Sequence, residues 1–300
     1  MRLLLKILLF IMVLGLLAAA IVLVPPHLQV RSVEPQLPTA TQLQALMAVP
    51  NGPVSVRYIN TAQQASPGRL LTHSVFLIEW ANGNLFMVDA GMDRTAADEF
   101  GELLESIADA EPAKYHGAIS DLLAEDVQQV TGMGFTHLHI DHTQGVLNFC
   151  AARGAGVDVF QTPWQRDLHN FNTEEGAAIV ASSCLNRQFL EGEGLVTIPG
   201  YPGLGLVGLG GHTPGSTMFA IGTAEKVFLL SGDTTNAKDA INTNTGKGFV
   251  YSYLFVPEHT DRTQELRLWL KELDQDPHMT VVVSHDLNDI KTSGIAEHNQ

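Results

Sequence analysis

His137-Leu138-His139-Ile140-Asp141-His142 is the stretch on which the reading of this chain turns. Four potential metal ligands fall within six residues, after the compact, glycine-rich run Thr131-Gly132-Met133-Gly134. A lone histidine is usually a satisfied core or surface residue, but that account does not stretch to this cluster. Neutral imidazoles and a carboxylate crowded behind a buried strand would be desolvated without partners, a cost that a divalent cation removes. Mixed His and Asp donors suit zinc. Side chains alternate along extended backbone, so His137 and His139 can point one way while Asp141 and His142 reach a second position.

Outward from the cluster, short apolar runs recur and several stop at an ionisable residue. Residues 75–78 and 85–88 read as neighbouring strands joined by an Asn82-Gly83 turn, the second running into Asp89-Ala90-Gly91. Residues 206–209 lead to Gly210-Gly211-His212, and Thr213-Pro214-Gly215-Ser216 completes a tight turn there. Residues 227–230 lead to Ser231-Gly232-Asp233, and residues 280–283 to Ser284-His285-Asp286. One strand-end Asp or His means little. His212, Asp233 and His285, in this order after the cluster, supply the ligands that the cluster alone lacks. Helical stretches lie between the strands, clearest over 262–274, where Leu266, Trp269, Leu270 and Leu273 form an apolar stripe with Asp261 or Thr263 as candidate caps. The result is an α/β architecture with polar strand ends along one sheet edge.

These blocks resemble those of the metallo-β-lactamase superfamily, and the resemblance extends over residues 75–286: Val88-Asp89-Ala90-Gly91, the cluster, His212, Asp233 and His285. It implies an αββα sandwich with the site at one sheet edge. It also implies that His137, His139 and His212 hold one metal, that Asp141, His142 and His285 hold a second, and that Asp233 bridges both. Asp89 would support the ligand loops from behind. Two divalent ions, zinc foremost with manganese or iron as alternatives, would share a hydroxide that attacks an acyl carbon. Asp141 and Asp233 are then the catalytic carboxylates, Asp141 orienting the nucleophile and passing its proton on.

Departures from branches of the superfamily narrow the class. His139 stands where flavodiiron proteins typically have glutamate, and Asp233 occupies a bridging position that true zinc β-lactamases lack. Ser216 stands where glyoxalase II-like enzymes usually carry a second histidine. The pattern is nearest to acyl-homoserine lactonases, although Asn236 replaces their frequent tyrosine; Tyr251 and Tyr253 are candidates to stand in. The favoured reading is a dinuclear zinc hydrolase cleaving an ester, lactone or related acyl bond of a small molecule. A phosphodiesterase of the same fold and a mononuclear iron persulfide dioxygenase-like enzyme are the alternatives. Residues 238–259 carry Phe249, Tyr251, Tyr253 and Phe255, which either line an apolar substrate pocket or pack as an ordinary lid. His27, His116, His259, His278 and His298 have no ligand partners nearby in sequence, His73 reads as structural, and His169 and Trp164 fall in a segment bordering the site.

Composition sets the outer limits. The 300 residues carry 17 Lys and Arg against 32 Asp and Glu, a formal charge of −15 that argues against a nucleic-acid partner. Arg2 and Lys6 precede an apolar run over 7–24 closed by Pro25-Pro26. With residues 3–5 it is long enough to span a bilayer, and the positive charge ahead of it favours export of the residues beyond. A signal anchor over 1–24 is therefore expected, with a cleaved signal peptide as the alternative. A proline-rich linker over 25–53, with a short helix in 40–49, and a hydrolase domain over 54–300 would come next, placed outside the cytoplasm. Cys150 and Cys184 lack metal-ligand or redox spacing and are expected as free, part-buried thiols, a disulfide remaining open to an exported domain.

Overall fold

The strands are β1 (Ser55–Ser66), β2 (Arg69–Glu79), β3 (Leu85–Val88), β4 (Lys114–Tyr115), β5 (Val130–Gly134), β6 (Val157–Gln161), β7 (Leu185–Phe189), β8 (Leu195–Thr197), β9 (Leu204–Gly208), β10 (Thr217–Gly222), β11 (Val227–Leu230), β12 (Met279–Val282) and β13 (Ala296–Glu297). They come from a computed structural model that describes residues 2–298. One sheet has the order β13-β1-β2-β3-β5-β6-β7, with β4 on β1; the other has the order β12-β11-β10-β9-β8. The β2–β3 pair is antiparallel and turns at Gly83, whose φ is 82°, as the Asn-Gly signal predicts.

Period-two alternation makes this a layered structure. On β10, Phe219 and Ile221 face the inter-sheet core with Phe86, Val88, Leu206 and Leu230, whereas Met218 and Ala220 join a second core. That second core packs sheet two against Leu266, Leu270 and Leu273 of the helix Thr260–Asp274. A third core packs Leu85, Met87, Met133 and Val159 of sheet one against Ile119, Phe149 and Val180 from its outer helices. Helix, sheet, sheet, helix is the αββα sandwich expected.

Three local expectations are corrected. The helix Thr260–Asp274 is capped by neither Asp261 nor Thr263; its N-cap is His259 without a side-chain bond, and the Thr263 hydroxyl donates back to Thr260 O. Cys150 and Cys184 are joined as a disulfide. The end of the helix Val146–Arg153 and the residue before β7 pack on one face of sheet one, bringing the two Cα atoms to 5.6 Å. Finally, the N-terminal helix runs unbroken over Arg2–Arg31 through Pro25 and Pro26. Residues 32–53 are not a free tether either. Val33, Leu43 and Leu46 are buried, and Thr39 with Gln42 forms a capping box for the helical turn Ala40–Gln44. Packing against the domain overrides what proline content suggests.

Candidate metal centre

Five strand ends meet at one edge. Beyond β3, Asp89 adopts φ 63° and turns its carboxylate toward the end of β5. There Asp89 Oδ1 accepts from Thr136 N–H at 2.8 Å, and Oδ2 accepts from Thr136 Oγ1 at 2.8 Å and His142 Nδ1 at 2.9 Å. The exit of β11 requires glycine: Gly232 has φ 58°, and a Cβ would lie 2.8 Å from Thr136 Cβ. The next residue is Asp233. His212 lies past the β9 exit and His285 past the β12 exit.

Ligand atoms of His137, His139 and His212 lie within 4.8 Å of one another; so do those of His137, His142 and Asp233, and those of His73, Asp141 and His285. The Asp233 carboxylate faces both sides: Oδ1 is 3.0 Å from His285 Nε2 and 3.7 Å from His142 Nε2, while Oδ2 is 3.7 Å from His212 Nε2. Asp141 Oδ2 stands 3.4 Å from His285 Nε2 and 3.5 Å from His142 Nε2. All seven side chains singled out in the sequence thus converge, with Asp233 between His212 on one side and His142 and His285 on the other.

The outer ring nitrogens are anchored, which sets the tautomers. His142 Nδ1–H donates to Asp89, His212 Nδ1–H to Glu258 Oε1 at 2.6 Å, and His285 Nδ1–H to Thr72 O at 2.7 Å. Their Nε2 atoms consequently point inward. Burial holds His137 well below the ordinary histidine value, and burial with the neighbouring His212 takes His139 down to about 3. These imidazoles are neutral, as ligands must be. Burial opposes charge on His142 too, but Asp141, Asp89 and Asp233 outweigh it and raise that histidine to about 10. Asp141 and Asp233, despite burial, are held below the usual carboxylate range, first by His142 and His285 respectively. Four inward atoms, His139 Nε2, His142 Nε2, His212 Nε2 and Asp233 Oδ1, are buried without hydrogen-bond partners. That arrangement of donors fits divalent metal ions.

Three neighbours escaped the sequence reading. His73, set aside as structural, lies 3.3 Å from Asp141 Oδ2. Its only sequence signal was the polar triplet Thr72-His73-Ser74 inside a buried strand. Glu258 orients His212 and accepts from Ser252 Oγ at 2.6 Å. Lys247 is almost buried, 3.4 Å from Glu258 and 3.9 Å from Asp233 Oδ2, and nothing in Gly246-Lys247-Gly248 advertises it. Of the aromatic residues in 238–259, Tyr251 packs beneath Lys247, while Phe249 and Phe255 are exposed at the surface. Burial and the carboxylates of Asp233, Glu258 and Asp141 push the Tyr251 phenol well up, keeping it protonated. Trp164 lies over Gly208 and His169 bonds to Arg166 O; neither joins the cluster.

The family model for the metallo-beta-lactamase superfamily matches residues 68–285. The chain belongs to the metallo-β-lactamase superfamily. Solved members share its fold at low identity. A quorum-quenching N-acyl homoserine lactone lactonase aligns with TM-score 0.60 at 17% identity, covering 81% of this chain and 97% of its own. An N-acyl homoserine lactone hydrolase with N-hexanoyl-L-homoserine at its catalytic metal centre gives 0.60 at 17%, covering 81% and 98%. A probable metal-dependent hydrolase from Staphylococcus aureus gives 0.52 at 15%, covering 78% and 90%. No curated protein matches the chain.

Proposed function

We propose that this protein is a two-metal hydrolase of an acyl bond, an ester, lactone or related linkage in a small molecule, with zinc as the expected ion. The observation that carries the reading is the set of inward polar atoms without hydrogen-bond partners, His139 Nε2, His142 Nε2, His212 Nε2 and Asp233 Oδ1, with His142 and His212 anchored from behind. Left unpaired, each costs about 1–3 kcal/mol, more for a charged group. His137, His139 and His212 would hold one cation, Asp141, His142 and His285 the other, and Asp233 both. When bound, the cations polarise a carbonyl and make water a nucleophile near neutral pH.

The remaining roles fall to the chain itself. Asp141 is ionised and adjoins His142, His285 and His73, so it can orient the nucleophile and accept its proton at Oδ2. Tyr251, kept protonated, remains a hydrogen-bond donor at neutral pH. Asp89 and Glu258 keep His142 and His212 in the ligating tautomer. The N-acyl homoserine lactonases of like fold make lactones the first substrates to try, beside aryl esters, a thioester, nitrocefin and a bis-phosphodiester.

Metal analysis and turnover test the proposal together. The purified protein should carry about two zinc equivalents, and chelation should lower its melting temperature and its activity. Asp233→Ala and His139→Ala should each abolish turnover with the far-ultraviolet circular dichroism unchanged. Turnover persisting in either variant would overturn the assignment, and a single iron would replace it with dioxygenase chemistry.

A further inference from the structure

The N-terminal helix enters the domain beside the site, and its end is tied down there by side-chain hydrogen bonds. His27 Nε2 donates to Tyr253 O at 3.1 Å, and Gln29 Nε2 donates to His169 O at 3.0 Å. Pro26 and Val30 are buried, and Arg262 Nη2 binds Pro35 O at 2.6 Å just beyond the helix. Upstream of this clamp, an 18-residue window has mean hydropathy 3.3 and none of it is buried against the protein. Residues 3–24 rise about 33 Å at 1.5 Å each, close to the hydrocarbon thickness of a bilayer. An unbroken helix without a flexible tether fixes which face of the domain a membrane would meet.

That face is apolar. Phe171 lies in a cleft with Val22 and Pro25 of the helix and is 46% exposed. Asn172 Nδ2 donates to Phe255 O at 2.8 Å, tying it to the segment 249–256, on which Phe249, Val250, Leu254 and Phe255 are 44–68% exposed. Exposed apolar patches of this kind mark interaction sites, and aromatic side chains favour the membrane interface. This segment and the residues leading into it reach the candidate metal centre, through Lys247 beside Asp233 and Tyr251 beneath it.

We propose that Phe171 and the 249–255 segment form a rim that rests in the bilayer interface at the root of the N-terminal helix, and that the enzyme takes an amphiphilic acyl substrate directly from the membrane. The covering surface is lipid, because the uncovered apolar helix is continuous with the rim. The substrate half of this statement rests on the acyl-hydrolase reading above; the docking half does not.

The full-length protein in phosphatidylcholine vesicles containing brominated lipid separates the two. Phe255→Trp should be quenched well beyond the native tryptophans, whereas Val54→Trp, exposed near the opposite end of the sandwich, should show no added quenching. No added quenching of Phe255→Trp overturns the docking surface, whatever the enzyme hydrolyses. In the same vesicles, Phe171→Ser combined with Leu254→Ser should lower kcat/KM for a long-chain acyl ester held in the bilayer about tenfold. Turnover of a short, water-soluble ester should not change. An equal loss on both esters, or on neither, refutes delivery from the membrane. Quenching without turnover of any acyl substrate would leave docking standing and refute the acyl-hydrolase reading alone.

Discussion

Glu258 shows how much of this centre is decided one atom behind the ligands. Its Oε1 fixes the His212 tautomer and its Oε2 is held by Ser252. Burial works against its ionisation, but Lys247 and His212 outweigh that and bring its carboxyl down to about 2. Removing such an outer partner typically weakens metal binding about 10–100-fold. Glu258→Gln should therefore lower zinc affinity within that range in a competition titration while leaving the fold intact; unchanged affinity would show His212 to be oriented by other means. Asp289 behaves oppositely. Burial, opposed by Lys238 and reinforced by Asp286 and Asp274, lifts its carboxyl to about 6. Ionising it is harder in the folded chain than in the unfolded one, so its charge destabilises the fold above about pH 6, and the penalty fades as pH falls toward the ordinary value near 4. Asp289→Asn should raise the melting temperature by roughly 3–6 °C at about pH 8 and by much less at about pH 4.5. A gain independent of pH would rule out the charge as its cause. The seven clustered side chains were legible in sequence because each lies at or just past the end of an apolar strand. Lys247, Glu258 and His73 were not, because their positions depend on how a lid and a strand from elsewhere pack around the cluster.

At the scale of elements, strands and hairpin were readable because one residue of register decides which face each side chain takes, and here both faces are buried. The stripe Leu266, Leu270 and Leu273 was readable for the same kind of reason, a helical repeat that one core must cover. What failed was everything set by approach in space. No spacing rule announces a bridge between residues 34 apart, and Cys150 with Cys184 pair only because a helix end and a strand start share one face of sheet one. Closing a loop of that length in the unfolded chain is worth about 3–4 kcal/mol on the chain-entropy estimate. Replacing both cysteines with alanine should lower the melting temperature by roughly 6–12 °C under oxidising conditions. Reductant should take the wild-type protein most of the way to the same value. A variant as stable as the oxidised protein would mean that the bridge contributes little to the fold.

For the whole molecule, the N-terminal fifty residues divide by burial rather than by composition. Up to Val24 the helix side chains are exposed to varying degrees and none packs into a core, so the domain gains little from them. From Pro25 onward the chain becomes part of the sandwich: Val30, Val33, Leu43 and Leu46 are each 3% exposed or less, and Leu43 and Leu46 sit in the core of sheet two with Val207 and Met218. Burying four such side chains contributes on the order of 6–12 kcal/mol, comparable to the net stability of a domain. Arg262, itself buried, would also lose the Pro35 carbonyl that its guanidinium donates to. A chain beginning at Pro25 should therefore be water-soluble and melt within a few degrees of the full-length protein in detergent. A chain beginning at Asn51 should bind a hydrophobic dye and lose its cooperative thermal transition, although both lack the apolar helix. If both shortened chains melt alike, residues 25–50 are a tether after all, and the seat that holds the candidate site beside the apolar N-terminal helix is gone with them.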